Sequence, residues 1–124
     1  MTTAFWCVLV AGLLPIFSVT LAKASVKGYD NKNPRPWLAR LEGWQQRANA
    51  AQANGWEAFA LFSTAVIIAN LTHAPQAKVD TLALVFVAAR LVYIGLYIAN
   101  LGVLRSLAWT VGLVCTLTIF VAGG

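Results

Sequence analysis

Asn54 and Glu57 stand three residues apart in one helical stretch of the sequence. Arg90, Tyr93 and Tyr97 recur at steps of three and four in another. In a helix each set lies on one face. Arg47 extends the first set by seven residues and Asn100 extends the second by three. Most of their neighbours are apolar. Ionisable groups at membrane depth are costly, and usually face a bundle interior or a wet cavity.

Depths follow from the helical rise. Measured from a turn near Thr72, Glu57 lies roughly 22 Å along its helix. Measured from Lys78, Arg90 lies roughly 18 Å and Tyr93 roughly 22 Å along theirs. Asn54 and Tyr97 both lie near ~28 Å. Glu57 is therefore expected level with Arg90 and Tyr93, and Asn54 level with Tyr97. Arg105, just beyond the next turn, stands above this cluster. One carboxylate, two guanidinium groups, an amide and two phenols suit a zwitterionic, peptide-like ligand. The carboxylate can hold an ammonium, and arginines clamp carboxylates with paired hydrogen bonds. The same residues also fit a Glu57–Arg90 pair that only fixes helix packing, and chemistry alone leaves both readings standing.

Helices must position these groups, and the composition says in what solvent. Of 124 residues, 60% are hydrophobic and only 10% charged. A soluble domain carries about 25% charged residues, so lipid is expected to cover much of this chain. Four transmembrane helices are read from the pattern, forming one all-α domain over residues 1–124. Ala4 to Ala22 is long enough to cross ~30 Å of hydrocarbon. Pro15 is expected to kink it. No positive charge precedes it, so it reads as a retained helix rather than a signal peptide. A proline-, glycine- and asparagine-containing loop follows to Trp37. The second helical pattern runs from Trp37 to Leu71 without a proline. It is polar and alanine-rich first, apolar from Trp56 onward. The third runs from Lys78 to Leu101, with Gly102 as its terminating glycine, and the fourth from Val103 to Ala122.

The net charge is +5, but its distribution argues against nucleic acid. Lys23, Lys27, Lys32, Arg35, Arg40 and Arg47 crowd one stretch between apolar segments, with no nucleic-acid-binding motif. They read as a cytoplasmic loop beside anionic headgroups. Loops one and three then face the cytoplasm and both termini face away. Cys7 and Cys115 lie in apolar segments and read as small buried hydrophobes. His73 stands alone, so no metal spacing exists. Nor is there a Ser/His/Asp or Cys/His set for nucleophilic catalysis.

Gln52-x-Asn54-x-x-Glu57, then Arg90-x-x-Tyr93-x-x-x-Tyr97, then Leu104-Arg105-Ser106, resembles the MAPEG family. These are the membrane-associated proteins in eicosanoid and glutathione metabolism. The resemblance implies a homotrimer of four-helix subunits, with glutathione held between neighbours in the cytoplasmic half. Carried over, Asn54 and Glu57 match positions that hold the glutathione backbone. Arg90, Tyr93 and Tyr97 match further contact positions, and Gln52 matches a Gln/His position. Arg105 matches the arginine beside the thiol, with Ser106 next to it. The implied activity is a glutathione-dependent transferase or peroxidase, acting on lipophilic electrophiles that enter from the bilayer. Two departures stand out: Ala50 and Ala53 occupy places where other members carry arginine, and Arg47 is one turn away. They keep open a second reading, a non-catalytic protein of the same fold that serves as a subunit or binds another anionic ligand or lipid. The partners expected are other copies of the chain, membrane lipids and a lipophilic small molecule. Minimal loops and the lack of retention or lipidation signals lean toward a bacterial inner membrane.

Overall fold

A computed structural model of the chain describes residues 1–124. Its five helices are α1 (Thr3–Ser25), α2 (Pro34–Ala39), α3 (Gly43–Leu71), α4 (Gln76–Ile98) and α5 (Gly102–Val121). The four long ones pack side by side. Hydrogen bonds between them fix their directions. The Ser18 hydroxyl near the end of α1 donates to the Ala48 carbonyl near the start of α3, at 2.7 Å. Arg47 Nε donates to the Ile98 carbonyl at the end of α4, at 3.0 Å. The amide of Ala4, at the start of α1, donates to Asp80 Oδ1 near the start of α4, at 2.9 Å. So α1 and α4 run one way and α3 the other. A three-residue connection turns the chain back into α5.

These bonds also finish the helix ends. Thr2 accepts from the Phe5 amide and Asp80 from that of Ala4, so two of the orphan donors of α1 are satisfied. The Arg47 guanidinium meets a free carbonyl at the negative end of α4.

The core lies where α1, α3, α4 and α5 meet. Phe62 and Phe86 stack with centroids 3.9 Å apart and rings within 4° of parallel. Alanines, Val66, Val79 and Ile119 fill in around them. Cys7 and Cys115 are free and buried in this core, as expected of small hydrophobes. Large apolar side chains such as Leu13, Ile16, Leu84, Leu91 and Leu117 point outward, the arrangement that lipid tails cover.

Three helices, α1, α4 and α5, are long and apolar enough to cross a membrane. The sequence reading expected four. Helix α3 falls short because its first half carries Gln45, Gln46, Arg47, Asn49, Gln52 and Asn54. Nor is it the continuous helix expected from Trp37. The chain breaks after α2, runs extended through Glu42, and re-enters a helix at Gly43, whose φ is +64°. Only glycine adopts that backbone freely, so Gly43 is the breaker that a search for proline misses. Helix α3 then measures roughly 43 Å.

Gly102 does not terminate α4, as had been expected; it opens α5. The terminating residue is Asn100, at φ +63°. Its amide bonds to Tyr97 and that of Leu101 to Leu96, each at 3.0 Å. This is a Schellman closure with asparagine in place of glycine. His73, at φ +56°, closes α3 in the same way: its amide bonds to Asn70, and that of Ala74 to Ala69. Asn100→Val should cost about 1–2 kcal/mol because a branched residue is strained there, whereas Asn100→Gly should be neutral. Thermal melts of the two variants check this.

Candidate functional site

Four side chains from α4 and α5 form a ladder at the end of the molecule where α4 turns into α5. The Arg90 guanidinium carbon lies 4.0 Å from the centre of the Tyr93 ring. Tyr93 meets Tyr97 edge to face, centroids 5.7 Å apart. The Arg105 guanidinium carbon lies 4.4 Å from the centre of the Tyr97 ring. The i, i+3, i+7 spacing along α4 places the first three on one face. The tight Asn100 turn brings Arg105, on the first turn of α5, back over Tyr97. Cation–π contact orients each guanidinium without occupying its hydrogen-bonding fork.

Arg90 is only 4% exposed, and its Nη2 has no hydrogen-bond partner. Asn54 Oδ1 is likewise buried and unpartnered. An unmade hydrogen bond at a buried polar atom costs about 1–3 kcal/mol, so two such atoms together point to a ligand. Both residues line an open cleft of about 160 Å³ between α3, α4 and α5. A second, more open cleft of about 270 Å³ adjoins it, lined by Asn54, Tyr93, Tyr97, Arg105, Ser106 and Trp109.

Of the residues singled out from sequence, Asn54, Glu57 and Arg90 line the first cleft. Asn54, Tyr93, Tyr97, Arg105 and Ser106 line the second. Gln52 lines neither; its amide donates to Asn49 on the same helix at 2.8 Å. The Glu57–Arg90 ion pair allowed by their depths is not formed. The Glu57 side chain is exposed, and Arg90 rests on Tyr93 instead. Arg47, considered as a stand-in for the missing arginines, spends its Nε on Ile98.

Sequence reasoning missed Trp109 and Gly112, which line the clefts from α5. Their spacing from Arg105, at i+4 and i+7, was the available signal. Trp109 touches both clefts. A side-chain carbon on Gly112 would lie 3.6 Å from the Phe86 ring and 3.8 Å from Arg90 Cδ. These are ordinary van der Waals distances, so an alanine would fit there.

The arrangement presents groups complementary to an anion. Arg90 offers a free N–H in a dry recess, Asn54 offers an acceptor beside it, and Arg105 offers a second cation at the rim. A family model, that of the MAPEG family, matches residues 3–124. No curated protein and no solved structure matches the chain.

Proposed function

The chain belongs to the MAPEG family, and on that premise we propose that it is a glutathione-dependent transferase or peroxidase acting on lipophilic electrophiles. It is an integral membrane protein, with three helices long and apolar enough to cross a bilayer; the proposed topology adds α3 as a fourth crossing. The observation that carries the functional reading is the ladder from Arg90 to Arg105 with two unpartnered buried polar atoms beside it.

The residues present fit glutathione. Arg90 Nη2 would donate to one of its carboxylates, and Asn54 would accept from a backbone or amine N–H. Glu57 would hold the ammonium. Arg105 would face the thiol, with Ser106 and the Tyr97 ring beside it. A free thiol has pKa ≈ 8.5 and is mostly protonated at neutral pH. The fixed guanidinium of Arg105 would favour the charged form. Glutathione supplies the nucleophilic sulfur, so no protein nucleophile is needed. Trp109 and Leu113 would offer an apolar wall to the electrophile. Purified protein should conjugate glutathione to a lipophilic electrophile or reduce a lipid hydroperoxide. Absence of both activities, with no glutathione binding by calorimetry, would favour the non-catalytic reading.

The exposed face of α3 supports a homotrimer. Glu57 is exposed on a single chain, flanked by Ala53, Trp56, Ala60 and Thr64. A carboxylate at membrane depth needs cover, and small residues let another helix approach closely. A second run of small residues at helical spacing, Ala48, Ala51, Gly55 and Ala58, lies on a different face. The first three are buried within the chain, and Ser18 and Pro15 of α1 lie against Ala48 and Gly55. Mass measurement in mild detergent should give three copies. Glu57→Ala should abolish glutathione binding while leaving helix content unchanged. A monomer, or normal binding by this variant, would contradict the assignment. In the proposed orientation the clefts lie toward the cytoplasm and both termini away from it, in a bacterial inner membrane.

A further inference from the structure

The connection between α1 and α3 carries a cationic surface that the thiol site does not use. Lys23, in the last turn of α1, sits with its ammonium 4.8 Å from the centre of the Tyr29 ring. Tyr29 in turn meets Trp37 edge to face, centroids 5.0 Å apart. Trp37 belongs to α2, whose Leu38 is buried. This stack links the last turn of α1 to the six-residue helix. Of the six cations in the stretch, two are engaged: Lys23 on Tyr29 and Arg47 on the Ile98 carbonyl. The other four, Lys27, Lys32, Arg35 and Arg40, are exposed.

Two carboxylates face them from the same connection. Asp30 is committed to its own turn, accepting from the Lys32 amide at 3.0 Å and from the Asn33 side chain at 3.4 Å. Glu42 is exposed at the entry to α3. The nearest cation on the α4–α5 turn, Arg105, is directed to Tyr97. The surface therefore keeps an excess of free positive charge. It lies at the level where α1 leaves the apolar region, with Tyr29 and Trp37 in the place such side chains take at a headgroup boundary.

We propose that Lys27, Lys32, Arg35 and Arg40, presented by the Lys23–Tyr29–Trp37 stack, form a binding surface for anionic phospholipid headgroups. Charge complementarity identifies the partner, and the position at the mouth of a spanning helix identifies its source as the bilayer. The surface does not depend on glutathione chemistry. A cation near an anionic headgroup is worth about fivefold in affinity, so the group should select phosphatidylglycerol over phosphatidylcholine by well over tenfold.

The test is native mass spectrometry of the purified protein equilibrated with an equimolar mixture of these two lipids. Wild type should retain phosphatidylglycerol preferentially, and the preference should fall with salt. The variant carrying Lys27→Gln, Lys32→Gln, Arg35→Gln and Arg40→Gln should lose about tenfold or more of it. Lys27→Gln with Lys32→Gln alone leaves every helix untouched and should lose part of it, which keeps the test informative if the fourfold variant misfolds. Replacing the same two lysines by arginine should preserve it. Equal retention of both lipids by wild type, or an undiminished preference in the two glutamine variants, would overturn the assignment.

Discussion

Arg105→Ala is expected to slow conjugation at neutral pH by about 30-fold, because a thiol of pKa ≈ 8.5 is only about 3% ionised at pH 7. The sign and pH dependence follow from the thiol. In the proposed mechanism the wild-type guanidinium would lower the thiol pKa, so the thiolate should predominate at neutral pH and the rate should be flat upward from there. Without it the thiol returns toward ≈ 8.5, and the rate climbs with pH through that value. The deficit should therefore shrink in alkaline buffer, although the nucleophile itself is intact. Arg105→Lys keeps a charge but not the planar fork, and should fall between the two. If Arg105 were only a charged anchor at the membrane surface, lysine would serve as well, since its charge and reach survive. Steady-state rates from pH 6 to 9 for the three proteins separate the roles.

Gly55→Val is expected to give the largest loss of stability. A side-chain carbon at Gly55 would lie 2.7 Å from Pro15 Cγ and 3.3 Å from its Cβ. The pyrrolidine ring cannot rotate away, so α1 and α3 must separate. Separation would also stretch the Ser18–Ala48 hydrogen bond. Overpacking of this kind typically costs about 1–3 kcal/mol, and a branched residue should reach the upper end. Gly95→Ala is the control, because nothing lies within 4 Å of the position its side chain would take. That change should stabilise by up to about 1 kcal/mol through helix propensity. Thermal melts in one detergent compare them directly; equal melting of both variants would mean that α1 and α3 do not meet at Pro15 and Gly55.

The apolar segments were legible because lipid demands long uninterrupted stretches, and α1, α4 and α5 supply them. The clustering of Arg90, Tyr93 and Tyr97 was legible because helical spacing alone puts them on one face. What the sequence concealed depends on backbone conformation and on neighbours. Gly43 and Asn100 break their helices through left-handed φ values, and Gly102, two residues from such a break, is by residue type an equal candidate for the stop. Level depth suggested that Glu57 would pair with Arg90. Depth along an axis says nothing of rotation about it, and α3 turns Glu57 outward while Arg90 finds an aromatic ring. The small residues of α3 form two stripes. Composition did not distinguish the stripe that meets α1 from the one that remains exposed.

The central claim is that this chain binds glutathione and holds its sulfur as a thiolate beside Arg105. Ultraviolet absorbance of the bound thiolate, followed against pH in purified wild type and in Arg105→Ala, reads this without any assumption about the electrophile. The account requires an inflection well below 8.5 in the wild type and a return toward 8.5 in the variant. The same inflection in both proteins, or no thiolate signal in the wild type at saturating glutathione, would contradict it.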